Sequence, residues 1–261
     1  MQQQPSTYHR WTRRLALAGT LALVAALGVL GWQWLADVSL ERVYVVGAQR
    51  ADTAEVKTLA GVLPDTALYA IEPALVADRV RRHPWVKAAS VMRLPTGALR
   101  ISISERTPAA LAMDGDGRPA FYLDDRGYCM PLAEDAANVP LLYGLGEDEY
   151  RPVQPLAHRT VREALAALAS TGIHDRVSEL TVRADSSIQL YTQAAGPHAP
   201  IAVRLGHGPF PEQLRTLRAF WNQAIEAQPN TQFSQIDLRF DGQVITREAP
   251  RAVANTTTRG S

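Results

Sequence analysis

The sequence predicts an α+β protein carried on a single N-terminal transmembrane helix. A β-α-α-β-β unit follows that helix, and a mostly antiparallel β domain with two helices follows the unit. Three observations support this reading. Residues 15–36 contain no charged side chain. Residues 38–107 pass from strand-like to helix-like periodicity and back. Residues 108–248 are short alternating runs broken by Gly, Pro and Asp, with two longer helical segments among them.

Leu15 to Ala36 reads LALAGTLALVAALGVLGWQWLA. As a helix these residues span about 33 Å at about 1.5 Å each, the thickness of a bilayer core. Trp32 and Trp34 stand at the far end, where aromatic rings favour the membrane interface. Arg10, Arg13 and Arg14 precede the segment, and Asp37, Glu41 and Arg42 follow it. The positive-inside bias therefore assigns residues 1–14 to the cytoplasm and the rest of the chain to the other side. A cleaved signal peptide has a shorter apolar region ending at small residues. A buried core helix would alternate between apolar and polar faces.

Leu40–Val46 alternates and is rich in β-branched residues, so it reads as a strand ending at Gly47. Asp52-Thr-Ala-Glu55 has the form of a capping box, and the helix it opens carries Val56, Leu59 and Ala60 on one face before Gly61. Pro73 suits the first turn of a second helix, which places Leu75, Val76 and Val80 inward and ends before Pro84. Residues 85–93 are extended, Pro95-Thr-Gly97 is a turn, and Leu99, Ile101 and Ile103 alternate along a final strand. Those last two strands form a hairpin, and the helices cover one face of a three-stranded sheet.

Farther on, strand-like runs lie at 109–113, 120–123, 128–130 and 139–143. Residues 159–169 are helical with Val161, Leu165 and Leu168 on one face. Strands follow at 177–182, 188–192 and 201–205, then a helix over 211–227 with Leu214, Leu217, Trp221 and Ile225 at helical spacing. Residues 233–240 and 243–247 close the domain as strands around the hairpin dipeptide Asp241-Gly242. Residues 249–261, rich in Thr, Ala and Arg, form a disordered tail.

A chain of 261 residues accommodates one large or two smaller folded units. Its net charge of +1, with Lys and Arg scattered among Asp and Glu, gives no basic stripe for a nucleic acid. The single cysteine, Cys129, rules out an internal disulfide or a Cys-rich metal site and reads as a half-buried strand residue. No nucleophile elbow, Walker loop or metal-binding His-Glu-x-x-His is present. Gly206-His207-Gly208 is a turn, Asp124-Asp125 are turn aspartates that cap backbone N–H groups, and Asp114-Gly-Asp-Gly117 is a hairpin turn. Neither a catalytic residue, a cofactor site nor a metal site emerges, and no small-molecule substrate is implied. What remains is a protein–protein surface, with late strands available for pairing with a partner's strand.

Together these pieces resemble the FtsQ/DivIB family of bacterial cell-division proteins. The resemblance is carried by His-Pro-Trp-Val-Lys (83–87), Ala-Ser-Val-Met-Arg (89–93), Ser-Glu-Arg-Thr-Pro (104–108), Phe121-Tyr-Leu-Asp-Asp-Arg-Gly127, Val139-Pro-Leu-Leu-Tyr-Gly144, Val203-Arg-Leu-Gly206 and Ile236-Asp-Leu-Arg-Phe240. It implies that residues 38–107 are a POTRA domain and residues 108–248 the family's β domain. It also implies a non-enzymatic divisome scaffold of the inner membrane, located at the septum with its bulk in the periplasm. Such a scaffold binds FtsB and FtsL, meets partners such as FtsK, and links early division proteins to septal peptidoglycan synthesis. In the family the FtsB strand is added at the end of the β domain. The positions that correspond here are Arg239 and Phe240, with Arg183 as a second charge contact and Leu238 and Gly242 beside them. The plain alternatives are a solvated strand residue at Arg239 and core packing at Phe240. Alternation puts Leu238 and Phe240 on one strand face and Arg239 on the other. Some members carry a Trp after the last strand, whereas Val244-Ile-Thr-Arg-Glu248 has no aromatic. POTRA units also precede outer-membrane barrels, so a periplasmic transport or assembly module is the rival reading. It expects a cleaved signal and many more amphipathic strands.

Overall fold

A computed structural model describes residues 7–36, 38–133, 135–146, 149–194, 198–227 and 231–249; within the first helix, side chains are described for Arg14 and for residues 16–31. The chain divides into two compact units, residues 1–105 and 106–261. The expected cytoplasmic segment 1–14 lies partly, and the expected tail 249–261 almost wholly, outside the described residues. Ala249 is still tied down, donating its N–H to the Gln232 carbonyl at 2.7 Å.

In the first unit, helix α1 (Thr7–Ala36) begins well ahead of the expected start of the span at Leu15. Leu17, Leu21, Leu23, Val24, Leu27, Val29 and Leu30 are all exposed on it. Residues 16–31 cover about 24 Å of helix axis at about 1.5 Å per residue, short of a bilayer core. Among the described residues, no helix is long and apolar enough to cross a membrane.

Strand β1 (Arg42–Val46) begins two residues later than the alternation suggests. Asp52 caps helix α2 (Thr53–Ala60) by accepting the Ala54 N–H at 2.8 Å, and Gly61 closes it in the left-handed region. Glu55, expected to reach back to the cap, instead accepts a hydrogen bond from Nε2 of buried His83 at 3.1 Å, while His83 Nδ1 accepts the Trp85 N–H at 3.2 Å. Helix α3 (Pro73–Val80) buries Val76, Ala77 and Val80. Leu75, expected inward, is 46% exposed. Residues 76, 77 and 80 define one side of a short helix, and 75 falls about 100° from 76 on the far side of it. Strands β2 (Val86–Leu94) and β3 (Ala98–Glu105) form the hairpin. The sheet order is β1-β3-β2, with β1 parallel to β3, so the last strand lies in the middle. Leu99, Ile101 and Ile103 are buried there.

The second unit contains strands β4 (Pro108–Met113), β5 (Pro119–Asp124), β6 (Cys129–Met130) and β7 (Leu141–Tyr143), then helix α4 (Arg159–Thr171). Strands β8 (Val177–Val182), β9 (Ile188–Thr192) and β10 (Ala202–Gly206) lead to helix α5 (Phe210–Phe220), whose last turn loosens to a π turn over Trp221–Ile225. Strands β11 (Phe233–Asp237) and β12 (Ile245–Glu248) complete it. These strands form one sheet in the order β12-β11-β10-β9-β8-β7-β4-β5-β6. The β10–β11, β7–β8 and β4–β7 pairs are parallel and the rest antiparallel. Both helices bury an apolar face in the core that Leu142, Leu180, Leu190, Val203 and Ile236 share. The domain is α+β, as expected.

Turn aspartates do backbone work in this unit. Asp114 Oδ1 accepts the N–H groups of Asp116 and Arg118, and Asp124 Oδ1 those of Arg126 and Tyr128. The other Asp124 oxygen pairs with Arg106 at 2.7 Å, both side chains buried, and the Arg106 guanidinium stacks 3.9 Å from the Tyr128 ring centroid. Cys129, expected to be half-buried, is fully enclosed, and burial pushes its thiol pKa up. Leaving a thiol protonated at neutral pH makes it a poor nucleophile.

Candidate functional site

The region that corresponds to the expected partner contact is the end of β11 and what surrounds it. The alternating run through 233–240 implies a strand to Phe240, but β11 stops at Asp237. Asp237 and Arg239 share a side of the extended backbone and close on each other. Arg239 Nε donates to Asp237 Oδ1 at 2.9 Å and Nη2 to Oδ2 at 2.6 Å; its backbone N–H reaches Oδ1 at 3.2 Å. Hydrogen bonds from Arg239 outweigh burial and hold the Asp237 carboxyl below its ordinary range. The ladder ends beside this pair. The link to β12 is therefore a seven-residue connection over 238–244, containing the Asp241-Gly242 turn, rather than a two-residue hairpin.

Leaving the strand also separates Leu238 from Phe240, correcting the expectation that they share a face. Leu238 is 4% exposed and belongs to the core, so its side chain is no surface contact. Phe240 is 50% exposed, which removes core packing as its role. The Arg239 guanidinium carbon lies 5.7 Å from the Phe240 ring centroid. Phe240 and Gly242 line a hollow of about 140 Å³ with Pro209, Glu212, Gln213 and Gln243.

Arg183, expected on a strand, lies in the turn after β8. Its backbone N–H bonds the Ser187 carbonyl and its guanidinium the Gln189 side chain. The fold nevertheless brings Arg183 and Arg239 to the rim of one basin of about 230 Å³, with Arg204 and His207 between them. His207 Nε2 donates to the Asp185 carbonyl at 2.8 Å, and the Arg204 charge adds to the depression of the Asp237 carboxyl. Gly206 provides the seat for Arg239. It sits at φ +69°, and a Cβ there would be 3.2 Å from Arg239 Cγ. Among the described residues, no group of acidic, His and Cys side chains is placed to hold a metal ion.

Beside this basin runs β12, the outer strand of the sheet, with all four residues exposed and β11 as its sole neighbour among the described strands. At the opposite edge, β6 is partly covered by bridges from Cys129 to Pro152 and from Tyr128 to Pro155. Sequence reasoning missed Asp237, Arg204, Gly206 and His207 as parts of the site. Asp237 was findable, because residues i and i+2 of a strand share a face. Arg204 carried no such signal, since only the parallel β10–β11 pairing places it next to Asp237.

Fold and site define an α+β protein of two units whose candidate working surface is an open sheet edge flanked by an arginine and an aromatic. Comparison with known families identifies both units. A POTRA domain of FtsQ type matches residues 38–106, and the FtsQ/DivIB C-terminal related region matches residues 107–247. The chain is 49% identical over 253 residues to the cell division protein FtsQ of Salinibacter ruber, covering 95% of this chain and 97% of that one. It is 46% identical to the FtsQ of Rhodothermus marinus, over 90% of this chain and 87% of that one, and 31% identical to the FtsQ of a Geobacter species, over 88% and 85%. The chain belongs to the FtsQ/DivIB family of cell-division proteins.

Proposed function

We propose that this chain is a membrane-anchored division scaffold that takes up a strand of FtsB along β12, with Phe240 and Arg239 as the anchors at its end and Arg183 as a second charge contact. FtsL joins through that complex, and FtsK is among the partners of the POTRA unit. The observation that carries the reading is the juxtaposition of a strand that is outermost and exposed among the described residues with a half-exposed Phe240 and a pre-oriented Arg239. An added strand gains main-chain hydrogen bonds from the edge, while the aromatic supplies buried area and the guanidinium a charge contact. The Arg239–Asp237 pair uses Nε and Nη2, which leaves Nη1 as the edge for a partner carboxylate. Leu238 contributes from below, by fixing where the chain leaves the core.

The anchor rests on α1. Its backbone runs unbroken to Ala36, its described apolar side chains are exposed, and the uncharged stretch 15–36 is long enough to span a bilayer core. With residues 1–14 in the cytoplasm, residues 38–107 and 108–248 stand in the periplasm and meet partners at the septum in two dimensions. The scaffold then links early division proteins inside to peptidoglycan synthesis outside.

The test is capture of the extracytoplasmic segment of the same organism's FtsB by the full chain in detergent. Phe240→Ala weakens capture by about tenfold or more, as expected of an aromatic anchor, and Arg239→Glu weakens it further by reversing a charge. Wild-type capture in both variants moves the interface elsewhere, and no capture by the folded wild type removes the reading.

A further inference from the structure

We propose that Gln213 is the residue that positions the Arg239–Phe240 arm for its partner, an inference that rests on the reading of that arm given above. Helix α5 buries Phe210, Gln213, Leu214 and Leu217 along one face, so Gln213 is the polar member of an apolar stripe. It is 7% exposed. Its amide nitrogen donates twice, to the Leu205 carbonyl and to the Leu238 carbonyl, each at 2.9 Å. Its oxygen is buried and has no partner among the described residues. Both N–H donors of this amide are spent on backbone carbonyls of two different segments, which ties those segments together.

Those two carbonyls lie where the parallel β10–β11 ladder runs out. The last paired residues are Arg204 and Asp237, and Leu238 adds one more bond by donating its N–H to the Arg204 carbonyl at 3.0 Å. Beyond that point Gln213 replaces the missing rungs, holding Leu205 and Leu238 at a common spacing. Residues 239 and 240 follow directly. Arg239 thereby comes to lie against Gly206, one residue past Leu205, and Phe240 borders the hollow that Gln213 also lines. Without the clamp Leu238 and Arg239 keep their bonds to Arg204 and Asp237, but the chain that leads to Phe240 is held less closely and binding has to supply the missing order.

The experiment measures affinity of the full chain in detergent for the FtsB segment, in wild type, Gln213→Met, Phe240→Ala and the double variant, with thermal midpoints alongside. Methionine keeps the volume and removes both donors. Gln213→Met is expected to weaken binding about tenfold, the scale of two lost hydrogen bonds. In the Phe240→Ala background the same change costs clearly less than it does alone, because one of the two anchors that Gln213 positions is already gone. Gln213→Asn, one methylene short, gives a smaller loss of the same kind and stands in if the methionine variant does not fold. Wild-type affinity in the folded glutamine variants, or a loss that adds fully to that of Phe240→Ala, overturns the positioning role while the arm stands. Wild-type affinity in Phe240→Ala overturns the arm and this inference with it.

Discussion

The two units close their sheets in opposite ways. In the first, the final strand β3 is the middle one, paired with β1 on one side and β2 on the other. In the second, β12, the last of the described strands, is the outermost, with four exposed residues and one neighbour among the described strands. A strand inserted between two others is fixed by both, and its apolar residues are core. An outer strand is fixed on one side and retains unpaired backbone groups on the other. The difference separates a unit whose last strand is internal from a unit whose last described strand is an edge.

Substitutions along the two closing strands probe that contrast. Leu99, in register with Val43 on one side and Arg93 on the other and wholly buried, is expected to cost about 2–5 kcal/mol of stability when changed to Ala. Chemical denaturation measures this, and a loss no larger than that of a surface site breaks the comparison. Next comes Glu105, the last residue of β3. Its carboxylate accepts the N–H groups of Gln49, Arg50 and Ala51 at 2.7 to 2.9 Å. Glu105→Ala is expected to lose about 1–3 kcal/mol, with faster amide exchange confined to 49–51.

A smaller, pH-dependent effect belongs to Asp237. Its folded pKa is depressed, so the stability it contributes is present above the ordinary Asp range and lost as pH falls through the folded value. Thermal midpoints of wild type and Asp237→Asn should therefore differ at neutral pH and converge in acid; a constant gap contradicts the pairing. The smallest effect is Ile245→Ala on β12, expected to change stability by no more than about 0.5 kcal/mol while weakening FtsB capture.

Most of the first unit was legible because its elements are regular. Alternation identified Leu99, Ile101 and Ile103, and an Asp before a helical run identified the Asp52 cap. Leu75 misled because it is bulkier than Ala77, and eight residues do not distinguish one inward face from the next. In the second unit the strands and both helices could be read from their apolar spacing. The parallel pairings could not, since no local pattern encodes which distant strand becomes a neighbour. The end of β11 was misplaced for a different reason. Leu238 and Phe240 continue the alternation, but where the ladder runs out the chain is held by side-chain interactions instead, Asp237 with Arg239 and Gln213 with two carbonyls. The polar Gln213 within an apolar helical stripe was the visible signal of the second.

The closed pair of Asp237 and Arg239 has a consequence for kinetics. Opposite charges 2.6 Å apart present little net field at a distance, and Arg183 and Arg204 stand near Asp185 in the same basin. Two arginines against one aspartate leave the basin a small net positive charge, so an approaching carboxylate feels a weak pull toward this edge. Raising the ionic strength is then expected to slow capture only slightly and to hasten departure more.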